Sequence, residues 1–109
     1  MITVNLFYTG KNGVARRFAE EMTDSGTVAA IRAEVGNLRY EYYQSFDDPE
    51  TVLLIDQWLN QAAIDAHHAS PMMGEIARLR EKYDLHMTVE RFVSDESSLP
   101  DLDRSFIRE

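Results

Sequence analysis

Two adjacent imidazoles, His67 and His68, follow the chain's one tryptophan, Trp58, within a single short segment. Histidine is the side chain that exchanges protons near neutral pH without large perturbation. On a helix, neighbouring residues point about 100° apart, so one of the pair faces the core and the other faces water. Two readings stand side by side. In one, a hydrogen-bonded core histidine sits next to a surface one. In the other, one imidazole lines a pocket as a base or hydrogen-bond donor. Trp58 belongs to the core, and its indole N–H needs an acceptor there, which a bound oxygen atom would supply. Asn5 is polar within an apolar stretch, so it bonds a neighbour or faces a cavity. Tyr40 and Tyr42 share a face with Leu38 and can wall an aromatic site, while Tyr43 serves the opposite face, toward a partner. Met72 and Met73 are adaptable apolar fillers.

Other chemistry is missing. There is no phosphate-binding Walker pattern, no dinucleotide glycine fingerprint and no Gly-x-Ser-x-Gly elbow. Gly10-x-x-Gly13 is a turn. His67 and His68 are adjacent rather than four apart, and His86 is remote, so a metal site is not expected. Cysteine is absent, which excludes disulfides and thiolate ligands. No cofactor and no metal are therefore anticipated. The 11 basic and 19 acidic residues leave a net charge of -8 with no basic patch, so nucleic acid and anionic membrane are poor partners. No apolar run approaches the length of a membrane span. The start, Met-Ile-Thr-Val-Asn-Leu-Phe, lacks a basic region and a cleavage site, and a cytoplasmic protein is expected.

The elements that must position these groups follow from periodicity. Alternation over residues 2–9 predicts a strand with Ile2, Val4, Leu6 and Tyr8 on one face and Thr3, Asn5, Phe7 and Thr9 on the other. After a turn with Asn12 as a cap, Val14, Phe18 and Met22 predict a helix over 14–23, and a second helical piece covers about 27–34. Residues 38–46 form a strand that places Leu38, Tyr40, Tyr42 and Phe46 on one face. The strand 52–58 is apolar from Val52 to Ile55 without alternation, so both of its faces need cover. Asn60 caps a helix over 61–68. Ser70 caps the next, with Pro71 at its first position, running to about Tyr83. A final strand spans 86–93. The order β-α-β-β-α-β is the split arrangement of α+β, ferredoxin-like domains with a four-stranded antiparallel sheet. Helices cover one face of such a sheet, and a second copy related by a two-fold axis covers the other, giving a homodimer. Residues 1–93 make the domain. Residues 94–109 are an acidic tail in which Leu99, Leu102 and Phe106 fall at helical spacing, able to dock, on the partner subunit for example.

Three stretches resemble the antibiotic biosynthesis monooxygenase family, which is built on dimeric α+β barrels. They are Gly36-Asn37-Leu38-Arg39-Tyr40-Glu41-Tyr42, Val52-Leu53-Leu54-Ile55-Asp56-Gln57-Trp58 and Ala66-His67-His68-Ala69-Ser70-Pro71. The resemblance implies a cavity between sheet and helices. There, well-studied members oxidise phenols, anthrones or quinols with O₂ and no metal or flavin. The protein's share is deprotonation, positioning and exclusion of water. By this likeness His67 is the base or phenol partner and Trp58 holds a peroxide or carbonyl oxygen. Asn5 is a polar cavity contact, Tyr40, Tyr42 and Tyr83 are walls, and His68 and Met72 are further substrate contacts.

The likeness has gaps. The anthrone-oxidising member has an Asn and a Tyr where this chain has Leu54 and Ile64, so its proton relay does not transfer. Quinol-monooxygenase-like members often carry a second His where Met72 stands. Haem degradation is not expected, because His67 occupies the place of the tryptophan used by those relatives. The leading expectation is a cofactor-independent monooxygenase acting on an aromatic or quinol-like small molecule. The alternatives are an isomerase of a small oxygenated metabolite and a non-catalytic small-molecule-binding dimer.

Overall fold

A computed structural model describes residues 1–109. Strand β1 (Ile2–Thr9) leads through two left-handed residues, Asn12 and Gly13, into α1 (Val14–Asp24). A short α2 (Thr27–Arg32) follows, then β2 (Asn37–Gln44), β3 (Thr51–Trp58), α3 (Gln61–His68), α4 (Met72–Lys82), β4 (His86–Val93) and a four-residue α5 (Asp101–Arg104). The sheet order is β2-β3-β1-β4, all antiparallel, as the β-α-β-β-α-β reading requires.

The core lies between the helices and one face of the sheet. In β1 and β3 the inward set is Leu6, Tyr8, Val52, Leu54, Asp56 and Trp58, all buried. They meet Phe18 and Met22 of α1, Ile31 of α2, Ile64 of α3, and Ile76 and Leu79 of α4. Each of these side chains removes apolar surface from water, contributing about 1.5–3 kcal/mol when fully buried. The opposite face carries Thr3, Asn5, Phe7, Leu53, Ile55 and Gln57, all half-buried, and no element of the chain packs over it.

Caps and faces bear out the sequence reading at Asn60 and correct it at Asn12, at Ser70-Pro71 and in β2. Asn60 does cap α3, its Oδ1 accepting from the Ala63 N–H at 3.0 Å. Asn12, however, is itself left-handed (φ 59°), and the helix start falls to Gly13. Ser70 caps nothing, since its Oγ is buried without a partner and Pro71 precedes the first turn of α4 rather than opening it. A bulge between Asn37 and Arg39 shifts the start of β2, so Leu38 is 53% exposed, and Phe46 lies beyond the strand in solvent. Leu99, Leu102, Phe106 and Ile107 in the tail are all exposed and pack on nothing in their own chain.

One glycine fixes the seat of α3. Gly36 has φ 85°, and a Cβ there would stand 2.6 Å from the Cβ of Ala63. Its carbonyl accepts from the Leu59 N–H at 2.8 Å. The helix that carries both histidines therefore rests directly on backbone at this point. No helix is long and apolar enough to cross a membrane.

Candidate active site

The strand–turn–helix from Val52 to His68 brings Trp58 and His67 face to face. Their ring centroids are 4.8 Å apart, tilted by 31°. Both are buried, His67 to 5% exposure. The His67 Nδ1 lies 2.6 Å from Oε2 of Glu34, which enters from the turn after α2. That contact takes up one ring nitrogen and leaves Nε2 as the one available to a molecule beside the ring. Burial holds the His67 pKa below its ordinary 6.5, against the opposing pull of Glu34. The imidazole is thus neutral at neutral pH and able to accept a proton, and the carboxylate stabilises the cation that would form.

The two rings open on a cavity of about 310 Å³, at the small end of the range for small-molecule pockets. Its walls are mostly apolar. Val4, Leu6, Leu54 and Tyr40 come from the sheet, Ile64 from α3, Met73 and Ile76 from α4, and Met87 and Val89 from β4. The β4 wall is the open side, with Met87 41% and Val89 51% exposed.

Strand register sets a third ionisable group into the same wall. Asp56 lies opposite Val4 on β1 and Tyr40 on β2. It is 9% exposed, and its Oδ1 has no hydrogen-bond partner. Burial raises its pKa from 3.8 to about 7, with the Trp58 indole opposing the rise and the Glu34 charge adding to it. Tyr8, Tyr40 and Tyr42 surround it, each with its own pKa pushed up by burial. A carboxyl that changes protonation near pH 7, beside a neutral imidazole in a water-poor cleft, is a pairing able to run acid–base chemistry. Arg80 of α4 completes the interior polar set, its Nη2 donating to the Tyr8 hydroxyl at 2.7 Å.

The sequence-predicted residues divide. Trp58, His67, His68 and Tyr40 line the cavity. Asn5 does not, because strand alternation turns it to the helix-free face, where its Oδ1 is buried and unpartnered. Tyr42 lies behind Tyr40, edge-on to it and to Phe18, and lines a separate open groove beside α1. Met73, not Met72, reaches the site. Tyr83 is at the far end of α4, its hydroxyl donating to Glu21 at 2.6 Å. Glu34, Asp56 and Arg80 were not anticipated. For Asp56 the signal was present, since it has the same parity as Leu54 and Trp58. No local pattern marks Glu34 or Arg80, whose partners lie 33 and 72 residues away. No group of three or more His, Asp or Glu side chains is arranged to hold a metal ion.

Residues 1–79 match the family model described as antibiotic biosynthesis monooxygenase. No functionally curated protein is significantly similar in sequence. Among solved structures, a Deinococcus radiodurans protein described in terms of that family has a TM-score of 0.78 at 17% identity, covering 92% of this chain and 98% of its own. PA3566 from Pseudomonas aeruginosa has a TM-score of 0.72 at 26% identity, covering 85% and 92%. SnoaB from Streptomyces nogalater, a cofactor-independent oxygenase, has a TM-score of 0.71 at 17% identity, covering 92% and 97%.

Proposed function

The chain belongs to the antibiotic biosynthesis monooxygenase family, and from that premise we propose that it is a cofactor-independent monooxygenase of the cytoplasm acting on an aromatic or quinol-like small molecule with O₂. The observation that carries this reading is the His67–Glu34 pair, stacked near Trp58 and open to an apolar cavity. The anthrone type of reaction illustrates the chemistry, in which a ring CH₂ becomes C=O and the second oxygen atom leaves as water. His67 Nε2 takes the first proton. The resulting anion passes an electron to O₂, and recombination forms a carbon–oxygen bond and a peroxide. Asp56, in its protonated form, gives its proton to the peroxide. Its carboxylate then takes the second proton from carbon as the O–O bond breaks. The hydroxide released takes the proton held by His67, and both groups return to their starting state. Apolar walls keep water from competing for the anion.

Substrate consumption in air that stops under nitrogen is the expected behaviour. Equal turnover under nitrogen would instead favour the isomerase reading, which needs the same base and no O₂.

The functional unit we propose is a homodimer joined through the helix-free face. Phe7, Leu53 and Ile55 make an apolar centre there, flanked by Phe92, which is 49% exposed. The exposed apolar residues of the tail belong against the partner in the same assembly. Wild-type protein is expected to sediment as a dimer and Phe7→Asp as a folded monomer. A wild-type monomer at micromolar concentration would contradict the assembly.

A further inference from the structure

Arg80 is the one guanidinium drawn into the cavity from a helix, and no acidic group of the chain serves it. Its Nη2 hydrogen-bonds to the neutral Tyr8 hydroxyl, and its Nε is buried without a partner. Elsewhere in this acidic chain basic side chains do find carboxylates, as in Arg16 with Glu20, Arg78 with Glu75, and Lys82 with Glu21. Guanidinium stays charged at any physiological pH and offers five donors in a fixed fork. Arg80 is half-buried, and the hydration it gives up is not replaced by an anion. A second arginine, Arg91 on β4, lines the open wall beside Val4 and donates to Gln61 Oε1 at 2.6 Å, again without a carboxylate. The cavity thus combines one wall with a base and a buried acid, and another with two cations that lack counter-ions.

We propose that the molecule this cavity takes is an aromatic acid, its carboxylate held by Arg80 with Arg91 at the open wall, and its phenolic or enolic group directed to His67. The inference rests on the cavity being the substrate site and narrows the class of substrate. The carboxylate supplies the missing counter-ion to the guanidinium at the cavity wall and fixes which end of the ring faces the base. A charge-assisted contact of this kind separates an anion from its neutral isostere by roughly ten- to a hundredfold in affinity.

The test is equilibrium binding, without turnover, of a hydroxynaphthoate and of the neutral hydroxymethyl-naphthol of the same shape. The carboxylate is expected to bind at least about tenfold more tightly to the wild-type protein. Arg80→Met should abolish that preference, Arg80→Lys should keep part of it, and Arg91→Met, a change at an exposed position, should weaken it with no effect on folding. Equal affinity for the two probes overturns the proposal, as does a preference untouched by both methionine variants, or no binding of either probe at millimolar concentration. Tight, Arg80-dependent binding with no O₂ consumption would sustain the anion site and count against the oxygenase reading, so the two fail separately.

Discussion

His67→Ala is expected to lower turnover at least about a hundredfold, the scale of lost general-base catalysis. Glu34 presents the imidazole in one tautomer, and burial keeps it neutral, so the ring needs no rearrangement before it accepts a proton. Because His67 is buried against Trp58, the alanine variant also leaves a void. His67→Gln, which fills that space, is therefore the companion variant and should lose comparable activity. Glu34→Gln retains a hydrogen-bonding group but not the charge that stabilises the imidazolium. It is expected to cost less, about tenfold, and to move the acid limb of kcat/KM further down. In the wild-type protein that limb is expected below pH 6.5, since the His67 pKa is lowered from that value and protonation would remove the base. Full activity in folded His67→Gln would take His67 out of the mechanism.

The second large effect is one of opposite signs in stability and activity. Asp56 is an acid whose pKa is raised in the folded chain, from 3.8 to about 7. The native state then holds the proton more tightly than the unfolded state between those values. Stability falls as pH rises through this window, and the full penalty is present above pH 7. The shift corresponds to at most on the order of 4 kcal/mol. Asp56→Asn keeps the shape and removes the charge, so it should raise Tm by several degrees at pH 8, with the difference fading toward pH 4. The same variant should lose activity about a hundredfold, because an amide carries no transferable proton. Its profile should also lack the alkaline limb near pH 7 that the wild-type carboxyl imposes. A buried acid with one carboxyl oxygen left without a partner, kept at the expense of stability, would be the usual form of the trade between the two. If Asp56→Asn were more stable and fully active, the acid would have no part in the chemistry.

These two residues also show what was legible beforehand. The fold was, because it rests on repeated local signals. Strand parity in 2–9, the Asn60 cap and the spacing of Val14, Phe18 and Met22 all point to one topology. Residue type and place singled out the His67–His68 pair with one member facing inward, the family likeness pointed to His67, and His67 is the buried one. Asn5 failed as a cavity contact for a reason its own strand contained, since it alternates with Val4 and Leu6. Met72, carried over from the family likeness, failed by one residue, since neighbouring helix positions point about 100° apart and it is Met73 that lines the cavity. Glu34 and Arg80 were beyond reach. A turn glutamate and a mid-helix arginine acquire meaning only when the chain folds them against His67 and Tyr8. Long-range ion pairs and orphaned donors have no period to read.

In the proposed reaction a protein base in an apolar cleft drives oxidation by O₂ directly. Oxygen consumption by the purified, metal-stripped protein against a panel of hydroquinones and anthrones, carboxylated members included, with His67→Gln alongside, tests this most directly. Uptake is expected on at least one of these substrates that requires the protein and falls to the spontaneous rate in the variant. Uptake no faster than the spontaneous reaction across the panel, or uptake equal in the His67→Gln protein, would contradict it.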